Sequence, residues 1–241
     1  MTLHLHRPQI ALLSNLLIPL LSRHSRRLAL VNSYTISDVV CEDHRELEAY
    51  HHKMLTPTIS LDSKARYQNQ FSWLLAKHTV GEEIVLYPAY EEYLGSYGKA
   101  AAKSDREGHQ ITKDKLEYFQ RLYPESHEFE GKLRDLMEGL KLHIRDTEEK
   151  ELPKLEKVLT KEENVELGKK FRRMQWFIPT RAHPWLPNKP PYETVLGFMS
   201  TPVDQLGDMF RRFPDEEDLL KTEEEYIRSK DSKEARNPES K

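Results

Sequence analysis

One cysteine, Cys41, stands in 241 residues, so no intrachain disulfide framework can brace this chain. A reducing compartment is the simpler assumption. Glycine is scarce, at 9 residues, which argues against a turn-rich all-β fold. No long apolar run is present either: the charge-free stretch from Pro8 to Ser22 is too short to span a bilayer comfortably, and Asn15 and Pro19 interrupt it. A net charge of −3, mixed in sign, provides no basic face for nucleic acid. Acid is missing from the whole leader, where Arg7, Arg23, Arg26 and Arg27 precede the first carboxylate, Asp38. Arginine- and serine-bearing, acid-free leaders resemble mitochondrial presequences, so residues 1–36 are expected to target the chain to mitochondria. The cytoplasm is the alternative, with the leader a plain disordered N-terminus. A secretory signal is weakened by a single early arginine and the lack of a small-residue cleavage site.

What is present is charge and helical periodicity. Charged residues make up 32% and apolar ones 37%, a balance suited to helices with strongly solvated faces. Four helix-like stretches carry apolar residues at three- and four-residue steps. The first runs from about Ser37 to Leu55, stopped by Pro57. The second starts near Asp62, taken as its N-cap, and runs to about Tyr93. The third spans about Ala100 to Leu122, before Pro124. The fourth follows Ser126, with Glu128 and Glu130 in its first turn, and reaches about Leu159. Short connections make consecutive helices antiparallel, so residues 37–160 are expected to form an all-α, up-down-up-down four-helix bundle. Residues 161–241 read as an extension and charged tail. Eight of the 14 prolines lie from Pro179 onward, and the segment through Pro190 and Pro191 cannot be helical. It reads as an irregular strap, carrying Trp176, Phe177 and Trp185, with a short helix after Pro202. From Asp215 the chain is charged and is expected to fray.

The chemistry lies in polar residues set inside the apolar stripes. Helix one reads Val40, His44, Leu47, His51, Met54. Helix two reads Phe71, Leu74, Leu75, His78, Glu82, Val85, Leu86. Helix three reads Asp105, His109, Thr112, Leu116, Phe119. Helix four reads Leu133, Leu136, Leu140, His143, with Ile144, Glu148 and Leu152 on the adjoining row. Each helix therefore turns a histidine inward, and two also turn a carboxylate inward. Unpaired imidazoles and carboxylates are costly to bury, so four histidines and two glutamates facing one interior need a shared partner, which a cation supplies. His78 and Glu82, four apart, share a face. His143 and Glu148, five apart, are about 140° off in a straight helix. A π-bulge brings such a pair together, as does a carboxylate reaching sideways. The mixed ligand set suits a carboxylate-bridged pair of irons. Residue types alone leave a single metal or two zincs open.

Helix two runs His78-Thr-Val-Gly-Glu82-Glu83 to Pro88, and helix four runs His143-Ile-Arg-Asp-Thr-Glu148-Glu149 to Pro153; each proline stands ten residues after its histidine. Together with Asp43-His44-Arg45 and Gly108-His109-Gln110, this resembles the hemerythrin-like family of HHE cation-binding domains, over about Thr35 to Leu159. The strap, through Pro179-Thr-Arg-Ala-His183-Pro184 and Pro190-Pro191, resembles the C-terminal segments of fungal members. The resemblance implies an oxo- or hydroxo-bridged di-iron centre that binds oxygen or senses iron and redox state. Its ligands here would be His44, His78, Glu82, His109, His143 and Glu148, with Glu82 and Glu148 as the bridges. Oxygen carriers of this family add a histidine one turn before the helix-three histidine; here that position is Asp105, which argues against reversible oxygen carriage unless Asp105 or a water fills the gap.

Blander roles fit the neighbours. His51 reads as a hydrogen-bonded or solvated histidine before a substitute ligand, His52 as surface, and His183 as structural. Glu83 and Glu149 read as solvent-facing, with substitution for the neighbouring ligand as the alternative for either. Gly81 costs its helix about 1 kcal/mol relative to alanine and leaves room for a small ligand or close packing. Pro88 and Pro153 each remove one helical hydrogen bond. Cys41 reads as a buried thiol. The functional expectation is a non-haem iron protein responding to oxygen, nitric oxide, peroxide or iron itself. The alternatives are an oxidoreductase using the same irons on peroxide or oxygen, and a metal-free helical interaction module. No separate nucleophile or acid–base constellation supports a hydrolase.

Overall fold

The computed structural model of the chain describes residues 34–175 and 211–236, and among these there is helix and no strand. The leader, the strap with Trp176, Phe177, His183 and Trp185, and the helix expected after Pro202 lie outside the described residues. No described helix is long and apolar enough to cross a membrane.

Helix α1 (Ile36–Met54) starts on a capping box. The Thr35 hydroxyl accepts from the Asp38 N–H at 3.1 Å, and Asp38 Oδ2 accepts from the Thr35 N–H at 2.8 Å. Two of the donors that a helix start leaves unpaired are thereby satisfied. Helix α2 (Leu61–Gly81) is capped by Ser60, whose hydroxyl accepts from the Ser63 N–H at 3.1 Å. Asp62, expected as that cap, sits one place inside the first turn and accepts from Arg66 Nε at 2.8 Å. A π-helical turn, Glu82–Leu86, joins α2 to α3 (Tyr87–Tyr93). Helix α4 (Gly95–Phe119) begins earlier than Ala100, because Gly95 at φ +57° lets the chain reverse directly after α3. Helix α5 (Phe129–Asp146) passes through a second π turn, Thr147–Glu151, into α6 (Leu152–Glu156).

Proline explains where the ladder widens. Pro88 and Pro153 have no N–H to donate, and their rings press on the carbonyls four residues earlier, at Ile84 and Glu149. Both carbonyls fall inside the π turns. The chain instead closes five-residue bonds, Tyr87 N–H to the Glu82 carbonyl and Leu152 N–H to the Thr147 carbonyl. Of the two ways that the His143–Glu148 spacing left open, the bulge is present, and helix two has one as well.

Paired contacts give the helix directions. Tyr50 meets Tyr67 and His44 meets His78, so α1 and α2 run opposite ways. Gln68 bonds the Phe119 carbonyl while Glu83 meets His109, which sets α4 against α2. Tyr118 bonds Glu128 while His109 meets His143, which sets α5 against α4. The expected antiparallel all-α arrangement is observed. Its interior has two apolar clusters, one around Leu47, Phe71, Leu75, Phe119, Leu133 and Leu140, the other around Ile36, Val40, Val85, Leu86, Leu152 and Phe171. Each such buried side chain contributes roughly 1.5–3 kcal/mol. The four stripe histidines lie at the level between the clusters.

Two further helices pack outside these rods. Helix α7 (Lys161–Met174) opens on a Thr160–Glu163 capping box and crosses the start of α1. There Asn164 Oδ1 accepts from the Ile36 N–H at 3.0 Å. Gly168 touches the backbone so closely that a Cβ would stand 2.4 Å from the Tyr34 carbonyl oxygen. Helix α8 (Glu216–Arg236) replaces the frayed tail expected from composition. Tyr67 and Thr222 share a hydroxyl hydrogen bond of 2.6 Å, Tyr226 donates to Glu48 at 2.9 Å, and Lys53 pairs with Glu225 at 2.8 Å. Its polar sequence folds because these few side chains land on the α1–α2 seam.

Candidate metal centre

Helix periodicity brings His44, His78 and His143 together around Glu82. Their ligand atoms, with one from Glu82, lie within 4.8 Å of one another, a spacing that one ion can span. Glu82 is fully buried and its Oε2 is the hub, 3.5 Å from His78 Nε2, 3.2 Å from His109 Nε2 and 3.1 Å from His143 Nε2. His44 Nε2 lies 3.1 Å from His78 Nε2. The Tyr87 hydroxyl stands 2.9 Å from His109 Nε2 and donates to Glu82 Oε2 at 3.3 Å.

Every inward Nε2 is backed by a carboxylate at the far nitrogen of its ring. His44 Nδ1 donates to Glu148 Oε1 at 2.9 Å, His78 Nδ1 to Asp43 Oδ2 at 3.3 Å, and His109 Nδ1 to Glu83 Oε1 at 3.2 Å. His143 Nδ1 faces Asp105 Oδ1 more distantly, at 4.0 Å. An ionised carboxylate only accepts, so it keeps the proton on Nδ1 and aims the Nε2 lone pair at the centre, as in carboxylate–histidine–metal arrangements. Three of the carboxylates are held in turn by cations or amides. Arg45 donates to Glu148 at 2.6 Å, Lys113 to Glu83 at 2.5 Å, and Arg172 and Gln175 to Asp43 at 3.1 and 2.8 Å.

Four converging lone pairs repel one another unless something positive lies among them. Protons serve in the metal-free chain. Burial disfavours the charged ring of His109, but Glu82 and Glu83 outweigh it and push that histidine up to about 9. His78 is raised against the same burial penalty by Glu82 and Asp43. His44 is lowered to about 4 by burial and stays neutral, able to accept from His78. Glu82, despite burial, is held well below the usual carboxylate range by His78 and His143. A metal ion displaces such protons when it binds. The residues fit one: the donor set is imidazole nitrogen with carboxylate oxygen, and the second Glu82 oxygen, Oε1, is buried with no partner.

The other stripe residues divide. Glu148 joins the centre from behind His44, its two oxygens on that ring and on Arg45. Burial resists its ionisation, but His44 and Arg45 hold it at about 2. Asp105 reaches His143, with Oδ2 buried and unpartnered, and burial raises it to about 6. His51 stays away from the centre, lowered to about 4 by burial and then by Lys141 and Arg134. His52 packs its ring against Tyr226, and Glu149 is exposed. Glu83 overturns its solvent-facing reading: the π turn carries it fully inside, between His109 and Lys113. Cys41 is half-buried, and burial followed by the nearby Glu148 pushes its thiol up to about 12, so it stays protonated. The roles of Asp43, Tyr87, Arg172 and Gln175 come from contacts between helices that sequence spacing does not report; the adjacent pairs Asp43-His44 and Glu82-Glu83 are the available signal. Beside His109 and His143, a cleft of about 240 Å³ opens between α4 and α5, lined also by Asp105, Gly108 and Gly139.

Comparison with known proteins agrees with this geometry. The family model described as the hemerythrin HHE cation binding domain matches residues 35–155. An uncharacterised hemerythrin-like protein of Schizosaccharomyces pombe is 44% identical over 179 residues, covering 74% of this chain and 88% of that protein. No solved structure matches the chain.

Proposed function

Since the chain belongs to the hemerythrin HHE cation-binding family, we propose that it is a non-haem di-iron protein that senses or handles oxygen, peroxide or iron. The observation that carries this reading is the Glu82 carboxylate. One oxygen stands among three imidazoles while the other is buried and unpartnered, the condition of a carboxylate able to bridge two ions. His44, His78 and His143 would hold one ion with Glu82, and His109 the other. Glu148 would reach a metal only by leaving both Arg45 and the far side of the His44 ring, which its two oxygens hold. Bound irons would supply redox chemistry and open positions for a diatomic or peroxide ligand.

The chain's own residues set the conditions around that chemistry. The cleft beside His109 and His143 gives a small molecule a route from solvent. The Tyr87 hydroxyl holds a proton next to Glu82 and His109, with burial keeping its pKa well raised. Asp105, in place of an imidazole, favours irreversible oxidation over reversible oxygen carriage. We also propose that the acid-free residues 1–36 direct the chain to mitochondria; a fluorescent fusion that stays diffuse in the cytosol rejects that.

Elemental analysis and optical spectra through anaerobic reduction and reoxygenation test the iron reading. About two irons per chain are expected, on the pattern of paired carboxylate–histidine sites in helical bundles. A folded, iron-incubated chain with no bound iron defeats it. Repeated reversible oxygenation defeats the role given to Asp105, and Asp105→His is expected to move the chain toward carriage.

A further inference from the structure

Helix α7 lies beyond the residues 35–155 that the family model matches, yet its end reaches into the centre. Asp43, the carboxylate behind His78, is 1% exposed. Its Oδ2 accepts from Gln175 Nε2 at 2.8 Å and faces His78 Nδ1 at 3.3 Å. Its Oδ1 accepts from one Arg172 nitrogen at 3.1 Å, while another Arg172 nitrogen bonds Glu42. One residue earlier, Phe171 sets its ring edge-on to His78, with centroids 6.3 Å apart, and covers Gly81. The Asn164 bond to the Ile36 N–H and the close approach at Gly168 anchor the helix at its other end.

A buried carboxylate that only a histidine touches is free to swing about its own bonds. Arg172 removes that freedom. Its planar guanidinium ties Glu42 and Asp43 together. Gln175 takes the remaining direction on the oxygen that His78 uses.

We infer that α7 is a positioning element of the metal centre, in which Arg172 and Gln175 act through Asp43 to fix the His78 ring and aim its Nε2 at Glu82 and His44. This rests on the metal reading above. The functional unit then extends to Gln175, past the end of the matched domain. Partners standing behind metal-bound histidines commonly change affinity about 10- to 100-fold when removed.

The test uses the full chain loaded anaerobically with ferrous iron and challenged with a chromogenic chelator. Arg172→Ala is expected to release iron about 10-fold faster than wild type, with Asp43→Asn similar. The double variant should be no faster than the quicker single one, because both break one relay. Arg172→Lys should recover part of the loss, keeping the charge but not the two-pronged grip. Asn164→Ala loosens the far end of α7 without touching Asp43, so it should lower Tm and leave the release rate unchanged. A wild-type rate in Arg172→Ala overturns the inference, as do multiplying effects in the double variant. So does an equal rate increase in Asn164→Ala, which would make α7 a mere structural support. A wild-type chain that takes up no iron overturns the metal reading and this inference together; loaded wild type with an unmoved Arg172→Ala rate overturns this inference alone.

Discussion

The chain contains the same device twice, and the two copies differ in what they place inside. In each, a histidine is followed four residues later by the first residue of a π turn and ten residues later by proline. Aligned this way, Glu82 corresponds to Thr147, and Glu83 corresponds to Glu148. The second residues behave alike: Glu83 backs His109, Glu148 backs His44, and a cation holds each. The first residues do not. Glu82 is the hub of the centre, whereas Thr147, equally buried, brings no charge. A widened turn thus makes one position face inward and the next face the back of a neighbouring imidazole, and the sequence at those positions decides which helix supplies the inward carboxylate.

The sharpest way to break that comparison is to neutralise one acid from each copy. Glu82→Gln removes the charge at the hub and should lower metal affinity more than 100-fold, on the order of 3 kcal/mol or more. Glu148→Gln acts behind one ring and should cost about 10-fold. Metal competition titrations on both variants compare them directly. Equal losses would mean that Glu148 also turns inward when metal binds and that the two turns are equivalent in function.

The prolines come next. With Pro88→Ala or Pro153→Ala, the carbonyl of Ile84 or Glu149 gains a donor four residues on, and an ordinary α turn competes with the wide one. The metal-free chain should gain about 1 kcal/mol, while metal affinity falls several-fold as the inward residues lose their register. Melts with and without chelator read both effects. Proline variants unchanged in both conditions would show that packing, not proline, holds the turns open.

Much of this was legible because the inward stripes obey a single period. His44, His78, His109, His143 and Glu82 each stand where helical spacing puts a core residue, and the five-residue step from His143 to Glu148 pointed to either a bulge or a carboxylate reaching sideways. Two of the backing carboxylates were not legible. Asp43 and Glu83 lie next to stripe residues, but their partners come from other helices, and no periodicity reports a contact across helices. Helix α7 hid for a similar reason: its buried side is Asn164, Gly168 and Phe171, a row with one large apolar residue. Helix α8 hid because Tyr67, Thr222 and Tyr226 dock it with polar groups.

Acid separates the two copies by a smaller effect. Glu148 is ordinarily near 4.5 and is held at about 2 in the fold, chiefly by His44 and Arg45 against burial. A depressed carboxylate contributes stability that is present above its unfolded value and lost as pH falls through its folded one. In chelated protein, its share should therefore disappear between about pH 4.5 and pH 2. Glu148→Gln should flatten that part of the stability curve while leaving slopes from other acids. Denaturant midpoints measured across this range provide the check; an unchanged slope would mean the Arg45 and His44 contacts do not persist without metal.

Two glycines supply the finest comparison, one beside each histidine. Gly139 stands one turn before His143, and a Cβ built there meets nothing within 4 Å. Gly139→Ala should stabilise the chain by about 1 kcal/mol, since alanine loses less backbone freedom than glycine on entering a helix. Gly81 stands three residues after His78, and its Cβ would lie 3.0 Å from Phe171 Cε2 and 3.1 Å from Cζ. Phe171 is fully buried, wedged between α2 and the core, so its ring must shift to admit a methyl group. Overpacking of that kind costs about 1–3 kcal/mol and outweighs the helix gain. Gly81→Ala should therefore destabilise the chain under the same conditions in which Gly139→Ala stabilises it, as read by urea unfolding with metal chelated. A stabilised Gly81→Ala would show that Phe171 yields at little cost, and that α7 rests on His78 more loosely than its contacts with Asp43 require.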